Sequence, residues 1–67
     1  MMKLRQLINA VKSNQMLQIE DQFGRDILYF GCAREVPREL IVVEKHPRVV
    51  LSIEVSENGT LILKTYW

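Results

Sequence analysis

The chain has 67 residues, enough for a single domain (residues 1–67) with one core, so nearly every Leu, Ile and Val must serve that core. Hydrophobic residues make up 48% and charged residues 25%, the balance of a folded globular domain and not of a disordered chain. A net charge of +1 supplies no overall field to gather nucleic acid or anionic lipid, and a lone cysteine, Cys32, excludes an intrachain disulfide framework and suits a reducing compartment.

The first residues carry Lys3 and Arg5, and Gln6 and Asn9 interrupt their apolar run, so neither a secretory leader nor a membrane anchor is expected. The expectation is a cytoplasmic protein. Leu4, Leu7, Ile8 and Val11 recur at i, i+3, i+4 and i+7 and predict an amphipathic helix over about residues 3 to 13. Its other face holds Lys3, Arg5, Gln6, Asn9 and Lys12. With cations at its start, where the macrodipole disfavours them, the helix must be held by docking.

Met16–Glu20 and Asp26–Cys32 read as strands joined through Gly24. A Gln22-Phe23-Gly24 loop would pair Ile19 with Ile27 and Leu17 with Tyr29 on one face, and Met16 with Phe30 and Gln18 with Leu28 on the other. Pro37 suits a helical corner between two halves of the chain. Ile41–Lys45 then reads as a strand, His46-Pro47-Arg48 as a turn, and Val49–Val55 and Leu61–Trp67 as a hairpin. A Glu57-Asn58-Gly59 loop pairs Val55 with Leu61, Ile53 with Leu63 and Leu51 with Thr65, whereas a two-residue Asn58-Gly59 loop would mix polar and apolar residues on one face. The predicted fold is α+β, an N-terminal helix on a five-stranded, mainly antiparallel sheet, open or curled into a small barrel. One helix covers one sheet face, yet Leu28, Phe30, Val42, Val50, Ile62 and Tyr66 remain for the other. Either barrel closure or another chain is expected to bury them.

The sequence offers little to chemistry. One Cys and one His cannot build a metal site. Cys32 alternates with Leu28 and Phe30 and reads as a small buried hydrophobe, not as the nucleophile of a Cys32/His46 pair. His46 reads as an exposed turn residue. Glu20 and Asp21 point to opposite sides of a strand, Glu35 and Glu39 read as solvated, and no glycine cluster forms a phosphate-binding loop. No enzyme, metal or cofactor is expected.

Two functions fit what is left. The leading one is a non-enzymatic accessory module that binds a protein or a second copy of itself, with Val50, Ile62, Tyr66 and Trp67 as its candidate interaction surface. The alternative is a small nucleic-acid-binding barrel with Lys45, Arg48 and Lys64 on phosphates and Tyr66 or Trp67 stacking on bases. The layout around Leu7-Ile8, then Gln18-Ile19-Glu20-Asp21, Gly24-Arg25-Asp26-Ile27-Leu28-Tyr29-Phe30-Gly31 and Val36-Pro37-Arg38-Glu39-Leu40 resembles small uncharacterised proteins of prophages and mobile elements in Gram-positive bacteria. That resemblance covers most of the first 43 residues and implies a small phage-related accessory protein acting on a host protein or a defence system, with no activity or functional residue to carry over.

Overall fold

A computed structural model describes residues 2–43 and 46–66. In chain order it contains α1 (Leu4–Ala10), β1 (Met16–Glu20), β2 (Ile27–Cys32), a 3-10 turn (Ala33–Glu35), α2 (Arg38–Ile41), β3 (Val42–Val43), β4 (His46–Pro47), β5 (Val49–Val55) and β6 (Leu61–Tyr66). The class is α+β, as expected. The main sheet differs from expectation: among the described residues it has four strands in the order β2-β1-β6-β5, and it is open. Its hairpins β1–β2 and β5–β6 are antiparallel, and a parallel β1–β6 ladder joins them. A closed barrel is therefore ruled out for these strands.

The expected strand Ile41–Lys45 is mostly not one. Ile41 ends α2, and Val42–Val43 pairs only with His46–Pro47 in a separate ladder; Glu44 and Lys45 lie outside the described residues. Pro47 has no N–H to donate, which suits so short an edge pairing and no place inside the main sheet.

Helix α1 is shorter than its apolar spacing suggests. Val11 is already extended, its N–H closing the last turn on Leu7 O at 3.2 Å, because the chain must run back to β1. There Ser13 O and Gln15 O accept from Arg34 and Ala33 N–H at 3.0 and 2.9 Å. At the other end Lys3 N–H donates to Gln6 Oε1 at 2.8 Å. Lysine has no acceptor to return the bond, so α1 keeps half a cap. Instead the preceding residues hook onto β5: Val50 N–H donates to Met2 O and Leu4 N–H to Arg48 O, each at 2.8 Å.

The core lies between α1 and one sheet face, where Leu4, Leu7, Leu17, Ile19, Ala33, Val50 and Leu63 are buried and Ile8, Val11, Tyr29, Val36 and Leu61 pack around them. Burying each Leu or Ile contributes roughly 1.5–3 kcal/mol. The β5–β6 turn has the expected register, with Val55 opposite Leu61, Ile53 opposite Leu63 and Gly59 at φ 86°. A bulge between Val50 and Ser52 then makes Leu51 the extra residue and sets Val50, not Leu51, opposite Thr65. Alternation reverses there. Val50, expected on the outer face, is thereby turned into the core.

The β1–β2 hairpin slips by two residues from its expected register, pairing Ile19 with Tyr29, Leu17 with Gly31 and Gln18 with Phe30. A two-residue slip keeps side chains from Tyr29 onward on their expected faces. A bulge between Ile19 and Glu20 sets Ile27 opposite Glu20, so Ile27, expected beside Ile19 on the helix side, is 61% exposed on the other face. The loop is longer because Asp21 organises it: its carboxylate accepts from the N–H groups of Phe23 and Arg25 at 3.2 and 2.9 Å, and Asp21 N–H donates to Asp26 O at 3.1 Å. Opposite Leu17, Gly31 leaves room for the Tyr29 ring, whose hydroxyl donates to Cys32 O at 2.7 Å. A Cβ on Gly31 would stand 2.5 Å from Tyr29 Oη and 2.9 Å from Cζ.

Gly31→Ala should therefore cost roughly 1–3 kcal/mol in urea unfolding through overpacking and shift the Tyr29 ring resonances. Gly59→Ala meets nothing within 4 Å and should lose only the roughly 1–2 kcal/mol of its positive φ, with Tyr29 unmoved.

Candidate functional site

The sequence-nominated residues do not form one surface. Val50 is in the core, Ile62 is half-buried on the helix-free sheet face, and Tyr66 is 51% exposed at the end of β6. Trp67 lies outside the described residues. On that face Phe30, Gln18, Ile62 and Glu54 form one row across the four strands, and Glu20, Lys64 and Ser52 the next. Gln18 Nε2 donates to Glu20 Oε2 at 2.7 Å. Polar side chains thus run down the middle, separating Phe30, Met16 and Leu28 at one rim from Tyr66 at the far end.

The cations nominated for phosphates are not gathered either. Lys45 lies outside the described residues. Lys64 is partly buried and crosses the β1–β2 turn, its Cε 2.9 Å from where a Cβ on Gly24 would stand. Arg48 is only 4% exposed: Nε donates to Leu40 O at 2.6 Å and Nη1 to Thr65 Oγ1 at 3.2 Å, and Thr65 Oγ1 donates to Glu20 O at 2.7 Å. Burial lowers the Arg48 pKa from its ordinary value, yet a guanidinium stays charged at any working pH. Its part is internal, tying α2 to β6 and, through Thr65, to β1. Nothing in its sequence context, between Pro47 and Val49, announces this.

Beside two other hollows of about 430 and 500 Å³, the fold assembles a cavity of about 360 Å³ that gathers exposed aromatics, lined by Asp21, Gln22, Phe23, Arg48, Thr65 and Tyr66. Its walls come from the β1–β2 turn and the end of β6, which the parallel ladder places side by side. Phe23 and Tyr66 are 66% and 51% exposed, while Arg48 and Thr65 are buried and engaged in the protein's own hydrogen bonds. The Arg25 guanidinium lies 5.6 Å from the Phe23 ring centroid, within cation–π range. Asp21 holds the turn, and the Arg25 N–H foremost lowers its carboxyl pKa from the ordinary 3.8. Sequence reading found Tyr66 but passed over Phe23, an aromatic in a polar turn with no strand partner to occupy it.

Other chemistry is sparse. Among the described residues no group of three or more His, Cys, Asp and Glu could hold a metal ion. Cys32 is partly buried and His46 exposed. No described helix is long and apolar enough to cross a membrane. No family model matches the chain, and neither a curated protein nor a solved structure matches it.

Arg48→Ala should destabilise the fold by roughly 1–3 kcal/mol in urea unfolding, because Leu40 O and Thr65 Oγ1 each lose a buried N–H donor. Lys64→Ala should stay within about 0.5 kcal/mol. For Asp21 the folded carboxyl titrates below 3.8, so its bonds stabilise above that pH and the contribution disappears as pH falls through the lowered folded value. Asp21→Ala should remove this part of the acid limb in pH-dependent unfolding.

Proposed function

We propose that the protein is a non-enzymatic interaction module that takes an apolar anchor side chain of a partner protein between Phe23 and Tyr66. The observation that carries this reading is the cavity itself. Two aromatic rings, each more than half exposed, flank a space of about 360 Å³, a size that suits one large side chain or a small ligand. Aromatic walls around a partly desolvated hollow are the usual setting of a binding hot spot. The polar groups at its floor, Arg48 and Thr65, are committed to holding α2, β6 and β1 together, which favours recognition over reaction. The nucleic-acid alternative loses support because Arg48 is turned inward and Lys64 is partly buried over the turn.

The test uses minimal anchors. The labelled protein is titrated with N-acetyl-tryptophanamide and N-acetyl-leucinamide and followed by proton–nitrogen NMR. Saturable shifts at Gln22, Phe23, Thr65 and Tyr66 are expected, with dissociation constants on the order of millimolar for ligands so small. Phe23→Ala and Tyr66→Ala should abolish them while changing stability by no more than about 0.5 kcal/mol. Shifts scattered over the surface, or retained in both variants, would refute the site. Salt-reversible shifts around Lys64 with a single-stranded oligonucleotide would favour the alternative instead.

A further inference from the structure

The sheet exposes apolar residues where its own core should cover them. Ile53 and Val55 face the helix side of the sheet, opposite Leu63 and Leu61. Leu63 is 0% exposed, yet Ile53 is 47% and Val55 68% exposed, and the bulged Leu51 beside them 44%. Helix α1 starts at the other end of β5, where Lys3 bridges to Val49, and leaves this stretch uncovered.

The backbone along it is also open. Ser56 N–H donates to Thr60 O at 2.9 Å, so by antiparallel alternation Glu54 and Ser52 bond toward β6, while Ile53 and Val55 aim their N–H and C=O groups away from it. Among the described residues no backbone hydrogen bond reaches Ile53 or Val55 from outside the hairpin. The edge is bounded at one end by Met2, which takes the Val50 N–H, and at the other by the turn at Ser56. Beyond the bulge that marks its start at Leu51, the stretch Ser52–Val55 contains no Lys or Pro, two of the residues that commonly protect a free edge.

We propose that this edge pairs with the same edge of a second copy, antiparallel about a two-fold axis through Ile53. An unsatisfied strand edge calls for another strand, and here length and charge select the copy and the register. Pairing Leu51–Val55 with itself fills the open stretch from Met2 to the turn without running into either. It sets Ile53 opposite Ile53, Leu51 opposite Val55 and Ser52 opposite Glu54. A shift by one residue in the direction of the turn would centre the axis on Glu54 and set two carboxylates face to face, which cross-strand pairing disfavours. The chosen register joins two four-stranded sheets into one of eight and adds Ile53 and Val55 of both copies to the helix-side core. The rim of β2 is the weaker competitor. Its exposed Leu28 and Phe30 lie on the opposite face beside Gln18 and Glu20, and the Tyr29 hydroxyl already occupies the Cys32 carbonyl. The Phe23–Tyr66 cavity takes no part in this contact.

The symmetry makes a charge-swap test decisive. Sedimentation velocity of the full chain should show a concentration-dependent monomer–dimer equilibrium that stops at the dimer. Ile53→Lys alone and Ile53→Glu alone should each be monomeric, because residue 53 meets itself, and an equimolar mixture should regain the dimer. Retained amide dispersion in NMR checks that each variant folds. In the unmodified protein, exchange of the Ile53 and Val55 amides should slow by about tenfold or more from dilute to concentrated samples, which tests the contact without any substitution. A protein that stays monomeric at all concentrations, a dimer indifferent to both variants, or growth beyond the dimer would overturn the proposal. Loss of association in Phe30→Lys but not in Ile53→Lys would also overturn it, in favour of β2.

Discussion

The parallel ladder between β1 and β6 is the interaction on which the rest of the structure depends. Each hairpin alone is a two-stranded ribbon, marginal in water. Setting Leu17 beside Leu61 and Ile19 beside Leu63 turns two ribbons into one sheet wide enough for α1 to dock on. The same pairing brings the end of β1 beside the end of β6, so Thr65 can reach Glu20 O while holding Arg48. The Phe23–Tyr66 cavity exists for the same reason: its walls are far apart in sequence and adjacent only because these strands run in the same direction.

Local features of this arrangement were legible in the sequence and long-range ones were not. Apolar spacing located α1, and Asn58-Gly59 with its flanking alternation gave the β5–β6 turn in its observed register. Both depend on residues within a few positions of each other. The β1–β2 faces were right from Tyr29 onward although the register slipped, because a shift of two preserves the pleat while the carboxylate of Asp21 stretches the loop. The bulge beside Glu20, which turns Ile27 to the other face, was not legible. Parallel pairing leaves no local mark. Neither does the bulge at Leu51, where one extra residue sends Val50 inward and moves a nominated contact into the core. Arg48 misled for a related reason: a cation beside a turn is ordinarily solvated, and only the packed structure reveals the carbonyl and hydroxyl that receive it.

The two proposed recognition surfaces have different physical origins. The cavity is a by-product of strand order, with walls supplied by a turn and a strand end and a floor by groups that hold the fold together. The open stretch of β5 is a by-product of helix placement: α1 begins beside the start of that strand, and the chain that follows runs to the β1–β2 side of the sheet and leaves the rest of β5 bare. Because the cavity and the strand edge lie apart, occupation of one leaves the other accessible, and a doubled sheet would present two cavities from one continuous platform.

Strand order also fixes the sequence of events during synthesis. Of the strands in the main sheet, β6 is translated last and takes an interior position. Until Leu61–Tyr66 has emerged, β1 has a bare edge, Leu17 and Ile19 lack their neighbours, and α1 has only a ribbon to rest on. Formation of the sheet must then wait for pairing across more than forty residues, as in Leu17 with Leu61, a closure that is slow compared with hairpin or helix formation. The nascent chain is most exposed to aggregation and proteolysis during that interval. A stop introduced before Leu61 would remove the middle of the sheet and not its margin, leaving no native-like remnant to be rescued.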